Sequence, residues 1–164
     1  MADIAGSAGV ARGLIHHYIG SKRDVYLECV RFLVTVPPVD DVNLPTGTHD
    51  ERVAGAVHWL VGVIEAHGRA WVRIASGTGV DPEVSEILDR ADELAAERVL
   101  ASVGFDGTRK ERELTVSVIR AYGGFVKAAG HEWLIRGSLT RDDVERLLVA
   151  ALSTCLVTAR DLRR

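Results

Sequence analysis

Apolar positions recur every three or four residues through most of this chain, and they almost never alternate. That spacing predicts helices rather than strands. Near the start, Ile4, Ala5 and Ala8 form one apolar stripe, and Gly9 follows where a helix must stop and turn. Val10 and Ile15 supply the inward contacts of a second short helix, and Ile15 and Ile19 share a face with Ala11 beside them. Ser21 and Asp24 have capping-box spacing. They open an amphipathic helix through Val25, Tyr26, Cys29, Val30 and Leu33, which ends before Pro37-Pro38.

Residues 35–49 form a Pro-rich loop, the clearest boundary in the chain, with Asp40-Asp41 as a solvated pair. Thr48 and Glu51 make a second capping box. The helix they start runs to about His67, with Val53, Val57, Leu60, Val61 and Ile64 on one face. Gly68 breaks it, and a short apolar segment (Ala70, Trp71, Val72, Ile74, Ala75) follows. Gly77-Thr78-Gly79 is too short for a phosphate cradle and predicts a turn. Asp81-Pro82-Glu83 is a strong helix start, continued by Val84, Ile87, Leu88, Ala91, Leu94, Ala95, Val99 and Leu100 as far as Gly104. After a turn at 105–108, a helix of roughly 40 Å covers about Arg109–Ile135. Gly123, Gly124 and Gly130 lie inside it and predict a kink or a close neighbour. Gly137 ends it. Thr140 and Asp143 cap a last helix carrying Val144, Leu147, Leu148, Ala151, Leu152, Cys155, Leu156 and Ala159. The predicted fold is all-α, with an N-terminal region at 1–34 and a larger helical domain at 48–164.

Composition changes this picture little. The 164 residues are 47% apolar, ample for one core, and 5% aromatic. The net charge of −3 excludes a globally basic nucleic-acid binder, but a small reading head needs only a local footprint. Residues 1–34 carry a slight positive excess, whereas 81–98 are acidic. Cys29 and Cys155 are expected to be buried apolar thiols in a reducing cytosol. Every apolar stretch meets a charge well before about 18 residues, so neither a signal peptide nor a spanning helix is expected.

The chemistry concentrates at the start. On a helix, Arg12, Gly13, His16 and His17 point away from the apolar face. Arg binds guanine bidentately, His donates to base edges or phosphate, and a bare Gly permits close approach. Lys22 opens the next helix, where N–H groups and an ammonium can hold one phosphate. The adjacent His16 and His17 diverge by about 100° on a helix, which argues against a shared metal.

These residues, IAGSAGVARGLIHHYIGSKRDVYLECV, resemble the helix-turn-helix of the TetR family of bacterial transcriptional regulators. Ile4, Ala5, Ala8, Gly9, Val10, Gly13, Ile15, Ser21 and Lys22 fit the family pattern. Ala11 replaces the usual Ser or Thr cap, His16 the usual Tyr and Ile19 the usual Phe. The resemblance implies recognition-helix positions at Arg12, Gly13, Leu14, His16, His17 and Tyr18, and a phosphate-contacting lysine at Lys22. It covers residues 3–33 specifically, and beyond them only the layout. The join at Trp133–Thr140 is similar to the family's link between two C-terminal helices, which implies a homodimer through the last two helices. The implied function is a ligand-responsive repressor on a pseudo-palindromic double-stranded DNA operator. Family members place a helix of some 15–20 residues ahead of the motif, and here the motif starts almost at Met1. Without that helix, Ile4, Ile15 and Tyr26 are expected to lack apolar cover and DNA affinity to be poor. The alternative is a dimeric small-molecule-binding or interaction protein that has lost DNA binding through truncation.

Aromatic residues fall mainly in the larger domain. His58, Trp59, Trp71, Tyr122, Phe125 and Trp133 are candidates for a pocket between helices, with Arg73 as a further polar contact, suited to a small apolar or amphipathic effector. Each taken singly is as well explained by core or dimer packing. His49, His67 and His131 have no ligand spacing. Nucleophile elbows, H-E-x-x-H motifs and Cys clusters do not occur in the sequence, so neither an enzyme nor a cofactor or metal is expected.

Overall fold

A computed structural model describes residues 1–75 and 81–162, apart from the side chain of Arg12. The Gly77-Thr78-Gly79 turn therefore lies outside the described residues. Within them the fold is all-helical, with seven α-helices and no strand. These are α1 (Ala2–Ala8), α2 (Arg12–Tyr18), α3 (Lys22–Leu33), α4 (His49–Ala75), α5 (Pro82–Ser102), α6 (Arg109–His131) and α7 (Arg141–Asp161). A short 3-10 turn spans Val39–Asp41, and a π-type turn, Glu132–Arg136, continues α6.

Local chemistry starts most of these helices. Ser21 accepts from the Asp24 N–H while the Asp24 carboxylate takes the Ser21 N–H, 2.6 Å away. Thr48 with Glu51 and Thr140 with Asp143 repeat the arrangement. So does Thr108 with Glu111, at the end of what the sequence marks only as a turn. Asp81 caps α5 ahead of Pro82. At the other end of α1, Gly9 turns left-handed (φ 67°), and the Val10 N–H bonds Ala5 O at 3.1 Å.

Gly68 interrupts α4, as the sequence predicts, and divides it into two helical stretches. Its φ of 55° and ψ of −140° belong to a region that side chains disfavour, so the chain changes direction there and resumes helix to Ala75. The glycines of α6 divide. Gly130 packs near Trp71 and Val72, whereas Gly123 and Gly124 face open space.

The main core lies among α4, α5, α6 and α7. Val53, Val57, Val61 and Ile64 meet Leu100, Ile119, Tyr122, Val126, Val144, Leu148 and Leu152. A second cluster seats α3 on α5 through Leu27, Val30, Val84 and Leu88. Among the positions expected on apolar faces, Tyr26 of α3, Leu94 of α5 and Leu147 of α7 are instead exposed. Both cysteines are free: Cys29 is exposed, contrary to expectation, and Cys155 is half-buried. Partial burial pushes the Cys155 thiol pKa up. No described helix is long and apolar enough to cross a membrane.

Candidate functional site

Two regions concentrate chemistry. The first is the α1–α2 pair, joined by Gly9, Val10 and Ala11. Ala5 and Ile15 are its buried residues, so Ile15 has the apolar cover that the sequence put in question. Val10, expected as an inward contact, and Ile19, expected to share the face of Ile15, are instead more than 40% exposed. Gly13, Leu14, His16, His17 and Tyr18 all lie open along α2, Tyr18 at 78% exposure. The His17 and Tyr18 rings meet edge to face at 5.0 Å. Lys22 is exposed at the first turn of α3. The candidate groove contacts are thus all exposed, except Arg12, whose side chain is outside the described residues. Ile4 of α1 and Val25, Tyr26 and Cys29 of α3 line a shallow apolar groove bordered by Lys22 and Arg23.

Arg23 ties this region to the larger body. Its guanidinium reaches both oxygens of Asp81 at 2.8 and 3.0 Å, and Glu83 at 2.8 Å. The two carboxylates hold Arg23 firmly charged, Asp81 contributing most. In return, the Arg23 hydrogen bond lowers the Asp81 pKa.

The second region is a cavity of about 160 Å³ among α4, α5, α6 and the segment after α3. Of the residues the sequence offers for a pocket, Trp59, Trp71 and Tyr122 line it. His58, Phe125, Trp133 and Arg73 do not. His58 turns outward, with Nδ1 2.8 Å from Glu145 Oε1. Phe125 is on the exposed side of α6, Trp133 packs against the main core, and Arg73 is exposed. In each case the residue lies on a part of its helix turned from the cavity, an orientation that helix-by-helix periodicity cannot supply.

Tyr122 donates its hydroxyl to Leu148 O at 3.1 Å, and burial raises its pKa. It serves the α6–α7 join as much as the cavity.

The sequence misses two sets of lining residues. Leu33 and Val34 at the end of α3, then Val36, Pro37, Val39, Val42 and Leu44, form one wall. The Pro-rich boundary is therefore a strap over the cavity. Its alternation of apolar residues with Pro and Asp was the available signal. The second set is charged: Asp92, Arg98, Arg120 and Lys127. Asp92 and Lys127 pair with each other. No protein-family model, curated protein or solved structure matches this chain.

Proposed function

We propose that the chain is a ligand-responsive transcriptional regulator of the TetR family, a homodimeric repressor with α1 and α2 as its helix-turn-helix head. The exposed residues Gly13, Leu14, His16, His17 and Tyr18, with Arg12, would enter the major groove. Lys22 would hold a backbone phosphate. One observation carries the reading: α3, the helix that follows α2 directly in the chain, ends in the cavity wall with Leu33 and Val34. A molecule in the cavity then touches the element that carries the head. It shifts the equilibrium between DNA-competent and DNA-incompetent dimers only through a difference in its affinity for the two.

The proposed dimer face is the open side of α6 and α7. Ala121, Gly124, Phe125 and Ala128 are exposed on the first, and Leu147, Ala150, Thr154 and Val157 on the second. Small and apolar residues at helical spacing allow two such pairs to approach closely.

A gel-shift titration with DNA from upstream of the chain's own gene tests the proposal. Binding that weakens steeply with salt is the expected result. No salt-sensitive binding at any protein concentration sinks the repressor claim. A second reading, a dimeric ligand-binding protein that does not grip DNA, draws on the thin packing of the head. Ile4, Val10, Leu14 and Ile19 are all partly exposed there. That reading keeps the cavity and predicts ligand binding without DNA binding.

A further inference from the structure

The polar groups around the cavity narrow its ligand beyond an apolar molecule. Most are already satisfied within the chain. Thr35 gives its hydroxyl to Arg31 O at 2.7 Å, and Ser102 gives its own to Val99 O at 2.8 Å. Tyr122 is spent on Leu148 O, and Lys127 on Asp92. Arg98 differs. Its Nη1 is sealed from solvent and has no hydrogen-bond partner among the described residues. Arg98 as a whole is half-buried on the cavity lining; leaving its sealed donor unpaired is costly, and an anionic acceptor that the side chain turns to meet removes that cost. The charge count agrees. Arg98, Arg120 and Lys127 against Asp92 alone leave two surplus positive charges on the lining.

We propose that the cavity takes a small amphipathic carboxylate. Its carboxylate accepts from the Arg98 guanidinium, and its hydrocarbon part lies among Trp59, Leu60, Val63 and Trp71. A guanidinium matches a carboxylate with two parallel N–H donors, which an alcohol or an amine cannot use. Size sets the second limit. An apolar cavity of about 150 Å³ holds one benzene ring. The hydrocarbon part is therefore one ring or a chain of about six to eight carbons, by the same measure. This inference rests on the cavity being a binding site, as proposed above, and is independent of any binding to DNA.

Tryptophan fluorescence reports it, because Trp59 and Trp71 are on the wall. The purified protein is titrated with octanoate and phenylacetate, and with octanol, octylamine and 2-phenylethanol as partners of matched size. The expected result is saturable binding of both carboxylates, about tenfold or more tighter than their neutral and cationic partners. Arg98→Met is expected to erase that preference while octanol affinity stays unchanged. The unmodified protein supplies a check that needs no variant: octanoate binding weakens as pH falls through the ligand's own pKa, and octanol binding does not. Equal affinity for octanoate and octanol, an unaltered preference in Arg98→Met, or no saturable binding of either carboxylate overturns the proposal. A protein that prefers carboxylates and never binds DNA upholds this inference and removes the regulator reading. One that binds DNA and shows no carboxylate preference does the reverse.

Discussion

At the residue scale, the capping carboxylates tie stability to pH. Asp143 takes the hydroxyl and N–H of Thr140 at 2.6 and 3.0 Å. The Thr140 hydroxyl, more than the backbone, holds its pKa below the usual carboxylate value. Asp24 and Glu51 are lowered by the same kind of contact. A group whose folded pKa is depressed stabilises the fold above its unfolded pKa, near about 4, and that contribution is lost as pH falls through the folded value. Thermal midpoints are therefore expected to drop between about pH 5 and pH 2. Asp143→Asn should make that drop shallower; an identical slope would count against the capping account. Lys22 makes a different prediction, one that belongs to the proposed DNA role. Lys22→Ala should weaken binding evenly across operator variants and reduce the logarithmic salt slope by about 1. A loss confined to particular base changes would assign Lys22 to base reading instead.

At the element scale, the strap from Val34 to Leu44 decides whether the cavity exists. It is held partly by one close approach. A Cβ built on Gly55 of α4 would lie 2.3 Å from Pro45 Cδ, so any side chain there pushes the strap's end off the helix. Gly55→Ala should cost about 1–3 kcal/mol in urea unfolding, in the range of overpacked sites. It should also weaken ligand binding. Gly62, on the same helix, faces open space, and its Ala variant should be neutral or up to about 1 kcal/mol more stable. If both variants behave alike, the Gly55–Pro45 contact does not position the strap. The helix beside the strap is anchored twice, by Leu27 and Val30 on Val84 and Leu88, and by the Arg23 fork. Leu88 belongs to that anchor and to the cavity wall together, so α5 joins the seat of α3 to the cavity.

At the scale of the whole molecule, the proposed dimer face and the cavity share α6. Ile119, Tyr122 and Val126 turn into the body, and Ala121, Gly124 and Phe125 turn out. A ligand that moves α6 would move both, and through the strap it would also reach α3. Leu147→Glu combined with Val157→Glu puts charges on the outward face of α7, where both residues are exposed in a single chain. Sedimentation should then report a monomer with unchanged helicity. A variant that still sediments as a dimer places the interface elsewhere.

Much of this fold is written locally. A capping box needs residues three apart, and an amphipathic helix needs only its own periodicity. The boundaries marked by Ser21, Thr48, Asp81, Gly104, Gly137 and Thr140 could therefore be read from the sequence, as could the core stripes of α4 and α7. Thr108 and Glu111 carry the same three-residue spacing at the end of the turn before α6. The candidate site was legible only in part. Trp59, Trp71 and Tyr122 were visible as aromatic residues on apolar faces. What separates them from Phe125 and Trp133 is the rotation of each helix against its neighbours, and periodicity leaves that rotation undetermined. Leu147 and Leu148, adjacent in sequence, end on opposite sides of this choice, one exposed and one fully buried. The cavity draws its wall from Leu33 to Leu152, across most of the chain. Whether Arg98 is paired or orphaned depends on groups brought to it from other helices. Such relations exist only once the helices pack, so the sequence by itself determined the elements, and the tertiary structure alone decided the cavity and its unmatched charge.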